Sequence, residues 1–238
     1  MIQKQIKFRK LEDFLKSQLN SHTHLELDMQ SYDYEDYCSL FIVPEEFEIN
    51  EEELQSLCSA LANCSNLQNL TLYLGVNWIQ DSGVLQLGSA LSSCKNLMDL
   101  TLCLEGNGIK PQGAKDLGLA LTNCPKLQSL TIQLSVDYED LCISNEIGEF
   151  GAFQIGSNLA KCANLQILTL DLNYKEIGCE GTYRLCLALS KCLQLKVLRM
   201  YLSYQQARPG DSQSKLRIQQ SSSKLNKIKN LVLKQTSF

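Results

Sequence analysis

At 238 residues, with 44% hydrophobic residues and a formal net charge of −4, the chain is long enough to enclose a large apolar core. It contains no run of about 18 apolar residues to cross a bilayer. Its first residues, MIQKQIKFRKLEDFLKSQL, alternate charge with hydrophobe, so neither a membrane span nor a secretory leader is expected. The net charge hides an asymmetry: from Ser17 to Cys94 there is no Lys or Arg but twelve Asp and Glu, while seven basic residues against Asp211 alone follow Ser203.

In chain order, residues 1–24 are expected to form a capping helix carrying Phe8, Leu11, Phe14 and Leu15. The only histidines, His22 and His24, follow and are expected to be solvent-exposed. Leu25, Leu27 and Met29 keep period two, the mark of a strand with one buried face. Leu54, Leu57, Leu61 and Cys64 then keep the three- and four-residue spacing of an amphipathic helix.

From there a unit recurs: L-x-x-L-x-L-x-L-x-x-N-x-I-x-x-x-G-x-x-x-L-x-x-A-L-x-x-C. Its closing cysteines, Cys64, Cys94, Cys124, Cys162 and Cys192, are separated by 30, 30, 38 and 30 residues. Self-similarity at such a period marks a solenoid. The strand half of each unit is Leu70/Leu72/Leu74, Leu100/Leu102/Leu104, Leu130/Ile132/Leu134 and Leu168/Leu170/Leu172, and the helical half ends at the cysteine. The third unit carries eight extra residues after Leu134, and the fourth has Lys175 where the others have Asn77, Asn107 and Asn145. These asparagines are expected to bond loop backbone groups, and Gly83, Gly113, Gly151 and Gly181 to permit close packing at helix starts. Leu195, Leu198, Met200 and Leu202 give another strand. Ile228, Leu231 and Leu233 are expected to give a last one within the basic segment 203–238.

One strand and one helix per unit predict an α/β solenoid: residues 25–202 form a parallel sheet on a concave face with helices on the convex face. Strands about 4.8 Å apart beside helices about 10 Å apart would curve the stack into a horseshoe. The pattern resembles leucine-rich repeats of the ribonuclease-inhibitor type over about residues 54–202. The C-x-N-L phrase, as in Cys64-Ser65-Asn66-Leu67, is similar to that of ciliate members. Some relatives of this repeat type act on small GTPases, but no residue of this chain stands out as an arginine finger.

Strand residues between the buried leucines face the concave side. One column there is Glu26, Thr71, Thr101, Thr131, Thr169 and Arg199; the other is Asp28, Tyr73, Cys103, Gln133, Asp171 and Tyr201. The second column changes chemistry from unit to unit, as a recognition surface does, and Tyr73 and Tyr201 are its aromatic anchors. Two D-Y-E-D-x-C phrases give a second candidate edge, with carboxylates Asp33, Glu35 and Asp36 and then Asp137, Glu139 and Asp140. They lack the spaced ligands and glycine of a calcium loop, so no metal is expected there.

No histidine follows the cysteines that could activate a thiol, and neighbouring acids would raise the pKa of Cys103, Cys38 or Cys142. No enzyme activity and no cofactor are therefore expected. The function expected is a non-enzymatic protein-binding module, whose concave face and acidic loop edge meet a partner with a basic surface. A subunit of a larger cytoskeletal or ribonucleoprotein assembly stays open as an alternative, as does a regulatory role on a GTPase. Nucleic acid would meet only the basic C-terminus, without specificity. The expected location is the cytoplasm, with cytoskeletal association open.

Overall fold

The computed structural model describes residues 5–30, 49–135, 144–173, 177–203, 216, 219–220, 223, 225 and 230–236. In chain order these give β1 (Ile6–Phe8), α1 (Leu11–Leu15), a 3-10 turn at Leu19–Ser21, β2 (His24–Asp28), α2 (Glu51–Ala62) and β3 (Asn69–Tyr73). Then come α3 (Gln80–Ser93), β4 (Asp99–Cys103), α4 (Pro111–Leu121), β5 (Ser129–Gln133), α5 (Gly148–Leu159) and β6 (Ile167–Leu172). The series closes with α6 (Gly178–Leu189), β7 (Val197–Ser203) and β8 (Asn230–Thr236).

All eight strands lie in one open sheet in sequence order, every neighbouring pair parallel. That order follows from the repeat: each crossover helix returns the chain to the same end, so the next strand adds beside the last. Leu70, Leu100, Leu130, Leu168 and Leu198 stand in one register line, and Leu72, Leu102, Ile132, Leu170 and Met200 in the next. Both lines are buried in a single core with the inward helix residues Leu57, Leu87, Leu117, Ile155 and Leu185. The helices therefore cover one face of the sheet, and the alternate strand residues look out from the other. This is a leucine-rich repeat solenoid. Among the described residues no helix is long and apolar enough to cross a membrane.

The N-terminal end differs from the expected helical cap. Ile6–Phe8 pairs with β2 as an added strand, and the helix that follows has only five residues. Lys7 stands opposite Glu26 in that register, and its ammonium lies 2.7 Å from the Glu26 carboxylate and 3.1 Å from that of Asp28. This charge match favours the strand over a continuous helix. His22 is the other departure: it is buried, not exposed. Its ring packs edge-on to Phe8 and against Phe14, and Nε2 is 2.8 Å from the Ser17 hydroxyl. Burial among these rings lowers its pKa.

The repeated cysteines are core residues. Cys94 and Cys124 each direct Sγ to a carbonyl of the preceding helix end, Leu61 O and Leu91 O, both at 3.4 Å, and Cys162 does the same to Leu121 O at 3.7 Å. Burial pushes Cys94 and Cys162 up to about 12 and Cys64 and Cys124 up to about 11, so each stays a thiol at neutral pH. The glycines mark close approach. A Cβ on Gly151 would lie 3.0 Å from Pro111 Cα and 2.6 Å from Ile147 Cγ2, and one on Gly181 would lie 3.0 Å from Glu149 Cα. A second glycine series, Gly88, Gly118 and Gly156, which the repeat pattern above does not single out, lets consecutive helices meet. A Cβ on Gly88 would sit 2.7 Å from Ala120 Cβ.

Candidate functional site

The open sheet face is a continuous surface that the repeat builds from matched positions. Register aligns Glu26, Thr71, Thr101, Thr131, Thr169 and Arg199 in one row, and Asp28, Tyr73, Cys103, Gln133, Asp171 and Tyr201 in the other. The four threonines are half-buried and Arg199 is exposed. Among the described residues no hydrogen bond joins the threonine hydroxyls, so their place in the row rests on β-branched packing against neighbours.

The second row is not uniform. Asp28 at one end lies beside Lys7, and Arg9 Nε is 3.8 Å from the same carboxylate. Lys7 of the added strand β1 and Arg9 just after it thus supply cations that answer Asp28 and Glu26 within the chain. The salt bridges in turn raise the pKa of Lys7. Tyr73 is half-buried, and burial, with the nearby Cys103 and acidic residues adding to it, raises its phenol pKa. Cys103, expected to be exposed, is only 3% exposed. Its Sγ donates to Gln133 Oε1 at 2.8 Å, and burial raises it to about 12, which removes it as a reactive thiol. Gln133 is thereby oriented across the middle of the row. Asp171 Oδ1 accepts from Asn173 N at 3.3 Å, and Tyr201 is half-buried at the far end. The carboxylates Asp33, Glu35, Asp36, Asp137, Glu139 and Asp140, with Cys38, Cys142 and Lys175, lie outside the described residues.

Two hydrogen-bonded ladders hold the edges of this face. On the edge after the strands, Asn107 Oδ1 accepts from Asn77 N and Ile79 N at 3.0 and 3.2 Å, while Nδ2 donates to Leu74 O and Glu105 O at 2.8 and 3.1 Å. Asn145 repeats this toward Asn107 N, Ile109 N, Leu104 O and Leu134 O. Asn77 accepts from Ile49 N and donates to Met29 O and Gly75 O. These are the backbone groups that a tight turn leaves unpaired, so the asparagines are structural.

On the opposite edge the asparagine of the C-x-N-L phrase does similar work. Asn66 donates to Asn20 O at 2.8 Å, Asn96 to Ser65 O at 2.9 Å and Asn164 to Pro125 O at 2.7 Å. Where the phrase has Lys126 instead, its Nζ reaches Asn96 Oδ1 at 2.6 Å.

One residue that the sequence reading missed stands at the strand-to-helix edge. Trp78, the only tryptophan, is 48% exposed and has φ +48°. Val76 and Gln80 in the same loop have φ +56° and +55°. The equivalent turn of the next repeat uses Gly106 and Gly108, at φ +60° and +63°. Left-handed backbone costs non-glycine residues on the order of 1–3 kcal/mol each. Val76 offsets this by complete burial; Trp78 does not. The signal was present in the sequence as a bulky aromatic at a glycine position.

No family model matches the chain, and no curated protein matches it. Among solved structures it is similar to one titled Leiomodin-1 Actin-Binding Site 2, at 16% identity and a TM-score of 0.49, over 90% of this chain and 94% of that one. A likeness of this degree bears on neither partner nor activity.

Proposed function

We propose that this chain is a non-enzymatic protein-binding module whose open sheet face, the expected concave surface, holds a partner. The observation that carries the reading is the second row: six strands align Asp28, Tyr73, Cys103, Gln133, Asp171 and Tyr201 in continuous register, with Cys103 itself buried and bonded to Gln133. Residues serving only the solenoid would repeat, as the leucines and asparagines do. This row instead changes chemistry at every strand on a scaffold that both ladders hold rigid.

Tyr73 and Tyr201 supply large apolar area with few rotamers to freeze, which suits interface anchors. Thr71, Thr101, Thr131 and Thr169 form the flatter floor beside them, and Arg199 adds a cation near Tyr201. Lys7 and Arg9 already answer Glu26 and Asp28, so the preference for a partner with a basic surface rests on the acidic phrases around Asp33 and Asp137. The repeat of one strand and one helix also supports the resemblance to the ribonuclease-inhibitor type. Exchanging Tyr73→Ser and Tyr201→Ser together is expected to weaken partner affinity by at least a hundredfold, about 2.7 kcal/mol for two anchors, with the melting temperature little changed. Unchanged affinity would sink the reading.

A further inference from the structure

We propose a second recognition site, separate from the sheet face: a cleft at the strand-to-helix edge, closed on one side by Trp78, that takes the guanidinium of an arginine side chain from a partner protein. The cleft has a volume of about 240 Å³ and lies between the start of α2 and the start of α3, with Glu51, Ile79, Gln86 and Trp78 among its lining residues.

Trp78 is the first ground. It occupies a backbone conformation that the next repeat gives to Gly108, and it leaves half its surface in solvent. The fold gains little from it there. A half-exposed indole face at a cleft is the best side-chain platform for a cation, and a planar guanidinium stacks on it better than an ammonium.

Gln86 is the second ground. Its Oε1 has no hydrogen-bond partner among the described residues, although a closed acceptor is normally paired. The terminal amide torsion of a glutamine is broad, so a small rotation presents this acceptor to a donor entering the cleft.

Charge decides the sign of the ligand. The two helix starts bring about half a positive charge each, which alone would favour an anion. Against that stands Glu51 in the lining, with Glu52 beside it in the first turn of α2; Glu53 is engaged by Asn50 N, and Asp81 of α3 accepts from Lys110 N at the start of α4. The two full charges of Glu51 and Glu52 outweigh about one unit of dipole charge, and no Lys or Arg is among the described residues that line the cleft. A guanidinium would meet Glu51 as counter-ion, Gln86 as acceptor and Trp78 as stacking face. Its donors outnumber what an ammonium could place in the same plane.

Because Trp78 is the only tryptophan, its fluorescence reports this cleft alone. The probe is the blocked peptide acetyl-Gly-Arg-Gly-Arg-Gly-amide, titrated into the full chain at low salt, beside its citrulline counterpart, which keeps the shape and loses the charge. A saturable emission change is expected below about 1 mM, with the citrulline peptide about tenfold weaker or more, as one desolvated cation–π contact implies. By calorimetry, Trp78→Gly is expected to lose the arginine peptide while melting no lower than the parent, since glycine takes φ +48° freely. Glu51→Gln is expected to weaken it about threefold or more. Equal binding of both peptides, no saturable change up to about 10 mM, full binding by Trp78→Gly, or a preference for inorganic phosphate would each overturn the proposal.

Discussion

Replacing Asn107 with alanine tests how the repeats are joined. The side chain is fully buried and makes four hydrogen bonds: two accepted from Asn77 N and Ile79 N, two donated to Leu74 O and Glu105 O. At about 1 kcal/mol net for each bond, Asn107→Ala should cost about 4 kcal/mol, and more if the four backbone groups stay unpaired. Asn77→Ala removes one accepted and two donated bonds, so it should cost about 3 kcal/mol by the same reckoning. Urea unfolding followed by far-ultraviolet dichroism reads both losses, provided the slope against denaturant is unchanged. Because a solenoid can open between repeats, amide exchange at Asn77 and Ile79 should be followed as well. Both amides are expected to lose protection in Asn107→Ala, while those of β6 keep theirs. A loss below about 1 kcal/mol with unchanged exchange at both amides would refute the ladder as the link between neighbouring repeats.

Other perturbations follow from the same packing. Gly151→Ala forces a Cβ against Pro111 Cα and Ile147 Cγ2 and should cost about 1–3 kcal/mol by overpacking, read from the urea midpoint; a neutral result would mean the loop yields freely. Burial lowers the His22 pKa below its ordinary 6.5. The unfolded chain therefore takes up this proton first, and stability should be full above about pH 6.5 and fall as pH drops through that value toward the depressed folded pKa. The His22→Gln variant should lose that part of the pH dependence in thermal melts, and an identical profile would contradict the assigned burial. Cys179 is only half-buried, whereas the repeat cysteines and Cys103 are buried. With Cys38 and Cys142 replaced by serine, Cys179 should react rapidly with an aromatic disulfide at pH 8 and the repeat cysteines only on unfolding; fast reaction of Cys94 or Cys124 would contradict their core placement.

The solenoid could be read from the chain because two periods alternate in each unit and recur with few changes. Leu70, Leu72 and Leu74 announce a strand as plainly as Leu87, Ala90 and Leu91 announce a helix. The two open-face rows were also legible, since period-two alternation fixes which residues oppose the leucines.

What the chain concealed depends on contacts between distant segments. Ile6–Phe8 sits among charges that read as an amphipathic helix, and only pairing of Lys7 with Glu26 and Asp28 makes it a strand. His22 precedes β2 by two residues, and its burial comes from Phe8 of β1 and Phe14 of α1, whose rings pack against it. Cys103 holds the outward position that alternation gives it, yet it is small enough for Gln133 to bond to it. Trp78 is a different case: the repeat aligns it with Gly108, but its loop matches the repeat in length, and the positive φ of both residues is what gives that alignment its meaning.

Site-directed photocrosslinking puts the proposed function to its most direct trial. A photoreactive side chain placed in turn at Tyr73, Gln133 and Tyr201, and at Leu85 and Leu119 on the helix side, would be irradiated in the native cell extract and the products sequenced. One protein joined at the three sheet positions and absent from the two helix positions is the predicted result. Crosslinks to that protein from Leu85 and Leu119, with none from Tyr73, Gln133 or Tyr201, would place the partner on the other face and contradict the account.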